Sequence, residues 1–167
     1  MINLYQILFE SVENTENVIQ YSGILKLKPK KELSFLKDKQ IEVVQENPEE
    51  AKPLKEDAIH VTLIHQSILN NLKTKSESKK AFEAKVNQFI QENPPPSISF
   101  EDSVELRESE GRKTWVVWVN EQDDLKLKRF VKSFMNFMGE GEIDPEPERR
   151  FHVSLANLTG NPADSVK

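Results

Sequence analysis

A short turn between two alternating segments limits this chain more than any other feature. Ile98, Phe100, Val104 and Leu106 recur at even positions, and Thr114 to Val119 carries the run Trp-Val-Val-Trp-Val. Between them Glu108 to Arg112 contains Ser-Glu-Gly. That is far too few residues for the crossover of a dozen or more that a parallel pair requires. The two strands must therefore pair antiparallel about Gly111, with the polar Asp102 interrupting the face of the first. Helical patterns occur elsewhere, so the class is α+β and a doubly wound parallel sheet is set aside.

Leu4, Ile7 and Leu8 have helical spacing and suggest a short N-terminal helix. Val18 to Lys28 reads as one strand with Tyr21, Gly23, Leu25 and Leu27 on a face, ended by Pro29. Leu33 and Leu36 suggest a helical turn or two, Ile41 to Val44 a short strand, and 45–57 an exposed loop. A β-type segment spans Ala58 to Ile64. The clearest amphipathic helix runs from about Ser76 to Gln91, with Phe82, Val86, Phe89 and Ile90 on one stripe, and is stopped by three prolines. Leu127, Phe130, Val131, Phe134 and Met138 form a second stripe. An acidic loop from Gly139 to Glu148 then leads into a strand from Arg149 to Leu155, and the polar tail 156–167 reads as flexible. At 167 residues the chain fits a single domain. Strand, helix and histidine-bearing strand occur in that order early and again late, a weak internal duplication.

The two histidine strands are near copies: His60-Val61-Thr62-Leu63 and His152-Val153-Ser154-Leu155. Side chains alternate along a strand, so His60 points with Thr62 and His152 with Ser154, while the four apolar residues face a core. Apolar residues make up 37% of the chain and Ser plus Thr number 18 of 167. A given histidine then matches the pattern with a chance of about 0.015, so two matches among three histidines are not accidental. Unperturbed imidazole titrates near 6.5, so one histidine can accept a proton while the other donates one. The adjacent hydroxyls can donate hydrogen bonds to the oxygens of a phosphate, where charge accumulates. This is the equipment that phosphodiester cleavage needs.

These residues resemble the two-histidine phosphoesterase superfamily, which includes 2′-5′ RNA ligase-like proteins and cyclic phosphodiesterases. The context Pro-Glu-Arg-Arg-Phe-His-Val-Ser-Leu-Ala-Asn-Leu-Thr-Gly-Asn-Pro is most similar to small phage members such as the nucleases that counter cyclic-oligonucleotide defence. The resemblance implies a bilobed fold of two antiparallel sheets related by a pseudo-twofold, with flanking helices and the motifs facing each other across a cleft. It implies catalysis by His60, Thr62, His152 and Ser154 without metal or other cofactor. The expected substrate is a cyclic oligonucleotide messenger or a 2′,3′-cyclic phosphate. RNA end-processing, 2′-5′ ligation and non-catalytic sequestration of a nucleotide are the alternatives.

Around this centre the residues leave choices open. Arg150 shares strand parity with His152 and either holds phosphate or pairs with the acidic loop. Tyr21, Trp115 and Trp118 could stack on bases, although Trp115 and Trp118 point to opposite faces of a strand and at least one belongs to a core. His65 falls outside the motif and is read as structural or peripheral. It could form a metal pair with His60, but no compact third ligand accompanies them and cysteine is absent. Lys26, Lys28, Lys30 and Lys31, and the pair Arg149 and Arg150, are candidates for a local basic pocket, with a solvated surface as the alternative for the lysines. The net charge of −5 disfavours a broad duplex-binding face, which needs cations to displace counterions. No apolar run approaches the roughly 20 residues of a membrane span, and no basic-then-apolar leader opens the sequence. A cytoplasmic protein is expected, in the host if phage-encoded.

Overall fold

Glu110 and Gly111, with φ of 52° and 77°, build the turn that the sequence demands. Two consecutive positive φ values match the right-handed twist of the strands that they join. In the computed structural model, which describes residues 17–167, these strands are β5 (Phe100–Ser109) and β6 (Arg112–Val119), paired antiparallel from Ser109↔Arg112 onward. Their register shifts between Phe100 and Val104, so Asp102 sits at the irregularity. The segment around Leu4, Ile7 and Leu8 lies outside the described residues.

The first expected strand is two. β1 (Val18–Tyr21) and β2 (Leu25–Lys28) fold back on each other at Ser22–Ile24, where Gly23 has φ 82°. A side chain there would be strained, so the glycine makes the hairpin possible. The expected strand at Ile41–Val44 is instead part of a 14-residue helix, α1 (Leu33–Glu46). Leu36, Gln40 and Val43 lie on one stripe: Leu36 and Val43 are buried, and Gln40 Nε2 donates to the carbonyls of Leu54 and Leu155 at 2.8 Å each. Tertiary contact thus outweighs the strand preference of Ile41 and the valines. The loop after it holds a short strand, β3 (Lys52–Pro53), and a 3₁₀ turn (Glu56–Ala58) before β4 (Val61–Ile64).

Two helices, not one, follow β4: α2 (Gln66–Thr74) and α3 (Lys79–Glu92), the latter capped by the Ser78 hydroxyl, which accepts from Ala81 N at 3.0 Å. After the hairpin comes α4 (Glu121–Phe137). Its buried Asp124 accepts from Phe151 N at 2.7 Å and so sets the entry into β7 (His152–Asn157). Arg149 and Arg150 precede that strand rather than open it. Among the described residues there are four α-helices and seven strands, and none of the helices is long and apolar enough to cross a membrane.

The strands form one antiparallel sheet in the order β1-β2-β4-β7-β6-β5, with β3 also on β7, where separate sheets were expected. β4 meets β7 at a single ladder pair, Val61↔Val153, and further along β7 the same edge is taken by β3. One face carries Val61, Leu63, Val153 and Leu155 into a core shared with α2, α3 and α4. Phe89 is its aromatic centre, with the rings of Phe130, Phe134 and Phe137 at 5.4, 5.2 and 5.5 Å. The tail is not loose. Asn157, fully buried, donates to Asn161 O (2.6 Å) and Ser165 Oγ (3.0 Å) and accepts from Thr159 N and Gly160 N. Arg112 reaches Ala163 O at 2.9 Å, and Val166 N donates to Thr114 Oγ1 at 2.7 Å. The segment looks polar because polar bonds fasten it.

Candidate active site

Val61 and Val153 pair at the centre of the sheet and point into the core, so their neighbours along each strand point to the other face. Antiparallel order puts Thr62 on the His152 side of that pair and His60, at the bend just before β4, on the Ser154 side. All four line a cavity of about 1010 Å³ on the face away from the helices.

Both histidines are held alike. His60 Nδ1 lies 3.4 Å from Asp57 O, and His152 Nδ1 lies 3.4 Å from Arg150 O. A carbonyl only accepts, so each contact favours the tautomer with its hydrogen on Nδ1, which in the neutral ring leaves Nε2 its lone pair. Burial lowers the His60 pKa, with Lys26 and Lys28 adding to it and the Asp57 carbonyl opposing. Lys26 is the ladder partner of Thr62, so both lysines share the face of His60. Burial also pushes His152 down to about 4, helped by the charges of Arg107, Arg149 and His65 and opposed by the Arg150 carbonyl. At neutral pH both imidazoles are therefore neutral bases in the free protein.

Trp118, the ladder partner of His152, stands against it at 5.2 Å between ring centres, edge to face. Its indole N–H donates to Glu105, and the guanidinium groups of Arg107 and Arg150 lie 5.7 and 5.0 Å from its ring. Trp118 and Arg150 line the cavity. The partner of Arg150 is different: it pairs with Glu101 on β5 rather than with the acidic loop. The acidic loop is engaged by Arg149, whose side chain is 14% exposed and contacts Glu146 at 3.0 Å. Arg149 also donates to the carbonyls of Thr62 and, at 3.1 Å, Leu63. Those groups lie where β4 has parted from β7, so the guanidinium takes the place of missing ladder bonds.

Tyr21 and Trp115 are not at the cavity. Tyr21 pairs with buried Leu25 and packs its ring edge on Phe82 at 5.9 Å, and burial and Glu83 raise its pKa. Trp115, 5% exposed, packs with Val43, Ala51 and Ala156. Alternation explains both: each lies on the face opposite the histidines. His65 does reach the cavity wall, half exposed, with Nδ1 at 2.9 and 3.0 Å from the two Glu146 oxygens.

Three features escaped the sequence reading. Arg107 lines the cavity, and a register counted from the Glu110–Gly111 turn puts it opposite Thr114, on the face of Trp118. Nothing in the residue pattern foretold the role of Arg149 as a clamp. The tail, through Pro162, Ser165 and Lys167, forms part of the wall. Among the described residues no three His, Asp or Glu side chains are grouped so as to hold a metal ion. No protein-family model, curated protein or solved structure matches the chain.

Proposed function

We propose that the protein is a metal-independent phosphodiesterase that cleaves a small nucleotide by paired-histidine acid–base catalysis, as the resemblance to two-histidine phosphoesterases implies. The observation that carries this reading is the meeting of the two motifs at Val61↔Val153, which lines one cavity with two imidazoles and two hydroxyls. The strand order supports the bilobed, pseudo-twofold arrangement: outward from the centre, β4 is followed by β2 and β1, and β7 by β6 and β5.

In this mechanism Nε2 of one histidine takes the proton of the attacking oxygen as that oxygen bonds to phosphorus. The other, protonated, gives its proton to the departing oxygen as the old P–O bond breaks. Thr62 and Ser154 donate to the non-bridging oxygens. Neither imidazole is charged in the free protein, so the acid is loaded when the substrate arrives: a phosphate beside an imidazole favours the charged form. Trp118, half-buried at the cavity with Arg107 and Arg150 against its ring, offers with them an aromatic and cationic wall to an anionic nucleotide. The setting that fits such a substrate is the cytoplasm.

Sequestration without turnover draws on the same depressed histidines, because a binding module has no need of a ready proton donor. The experiment that separates the readings is incubation with 2′,3′-cyclic mononucleotides and cyclic di- and trinucleotides in excess EDTA, followed by chromatography. Turnover that survives chelation is expected. Activity lost with EDTA and restored only by a divalent metal would overturn the mechanism, and tight binding with no product would favour sequestration.

A further inference from the structure

His60 stands between two cavities. Beyond it, a second space of about 450 Å³ shares only Ala58, His60 and Pro162 with the large one, so these three form a neck. The lining that belongs to this side cavity alone is mostly polar: Lys55, Asp57 and Asn161, with Gly160 at its edge. Each polar side chain has capacity to spare. Asn161 Oδ1 is occupied by Ala163 N at 3.0 Å, which leaves both amide hydrogens free to donate. Among the described residues, no ion pair or side-chain hydrogen bond engages the Lys55 ammonium or the Asp57 carboxylate.

The walls are fixed before any ligand enters. Asn157 holds the 159–161 turn from both ends of its amide, at 2.6 Å to Asn161 O and 2.6 Å from Gly160 N. Gly160 has φ 80°, and a Cβ there would meet Pro53 O at 3.3 Å, so the turn is seated against β3 in a form that other residues resist. The opposite wall is the 3₁₀ turn whose Asp57 carbonyl holds the His60 ring. A recess of this size, open to solvent on one side and edged by three exposed polar side chains, has room for part of a ligand.

Displacement at phosphorus runs in line, with the entering and leaving oxygens on opposite sides of the phosphorus. A phosphate centred over the four motif groups therefore directs its two organic substituents apart, one toward Trp118 and one past His60. We propose that the side cavity is a second nucleoside subsite, which receives the nucleoside joined through the oxygen that His60 serves. This rests on the phosphodiesterase reading and narrows its substrate to a compound in which the scissile phosphate joins two nucleosides. The Asp57 carboxylate accepts from sugar hydroxyls or a base N–H. The Asn161 amide donates to a base acceptor, and Lys55 pairs with a keto oxygen or a further phosphate.

The test compares dinucleoside monophosphates, in 2′-5′ and 3′-5′ linkage, with nucleoside 2′,3′-cyclic phosphates, which have no second nucleoside. Lys55→Ala and Asn161→Asp are the variants; the aspartate keeps the oxygen that caps Ala163 N, and urea unfolding curves confirm that both stay folded. Each should raise KM for the dinucleoside substrate about tenfold, Lys55→Ala by losing a charge-assisted contact and Asn161→Asp by replacing an amide donor with an acceptor, and leave the cyclic phosphate unaffected. Equal losses on both substrates, or none on either, would overturn the subsite. So would a wild-type protein that cleaves the cyclic phosphate but neither binds nor cleaves the dinucleoside, with the phosphodiesterase reading left standing. If calorimetry and turnover detect neither ligand with the wild type, that underlying reading fails and the subsite with it.

Discussion

The proposed chemistry gives the residues around the Val61↔Val153 pair separable tasks, and substitution should separate them. His60→Ala and His152→Ala each remove a proton-transfer group, which should lower kcat by about 10²–10⁴ while nucleotide still binds. Thr62→Ala and Ser154→Ala each remove one hydrogen bond to an anionic oxygen, on the order of 1.5–3 kcal/mol, and should cost less. His65→Ala, whose imidazole is turned to Glu146, should leave kcat near wild type in the same steady-state assay. The pH dependence has a defined sign. The His152 pKa is near 4 folded and near 6.5 unfolded, so below pH 6.5 the unfolded chain binds the proton first. That stability is present above pH 6.5 and is lost as pH falls toward 4, by up to about 3 kcal/mol. Denaturant midpoints measured from pH 8 to 4 should fall over that window, and His152→Gln should flatten the slope. For the same reason the kcat/KM profile should be bell-shaped with its maximum below pH 6.5, and a flat profile would count against the pair. The pattern of His60, Thr62, His152 and Ser154 was legible in the sequence because alternation alone fixes which side chains share a face. The clamp formed by Arg149 was not, because it depends on two carbonyls in a strand some 86 residues away.

Elements show where local pattern suffices and where it does not. The β5–β6 hairpin and the stripes of α3 and α4 could be read because their signals are contained within a few turns of chain. α1 was mistaken for a strand at Ile41–Val44 because three β-branched residues dominate the window; the long-range bonds of Gln40 decide the matter. α2 is only nine residues with two buried leucines, too short for a convincing period. The element most open to test is β4. Arg149→Met would leave the carbonyls of Thr62 and Leu63 and the carboxylate of Glu146 short of a partner, at a cost of about 3 kcal/mol. Hydrogen exchange should then speed up at the amides of β4 before it does in α3 or α4. Unchanged protection in β4 would show that the ladder to β2 suffices without the arginine.

At the scale of the whole molecule, helices from early and late in the chain bury their stripes in one core under a single sheet. The two halves should therefore unfold together. Phe89→Ala, which empties the aromatic centre, should cost about 3–5 kcal/mol and shift one cooperative transition. Two separate transitions by fluorescence and far-UV circular dichroism would mean that the halves are independent. The net charge of −5 coexists with a cavity lined by Arg107, Arg149, Arg150 and Lys167 against Glu146 and Glu148, so basic side chains outnumber acidic ones there although the chain as a whole is acidic.

The lone ladder pair between β4 and β7 has a mechanical consequence. Beside the cavity the β4–β7 seam is stitched by one rung, and the side chains that a phosphate would touch under the proposed chemistry stand on both sides of it. A bound phosphate accepting from Thr62 on one strand and Ser154 on the other would act as a cross-brace, supplying links that the backbones do not make. Ligand occupancy and stiffness of the seam would then rise together, and release of product would begin with the seam relaxing.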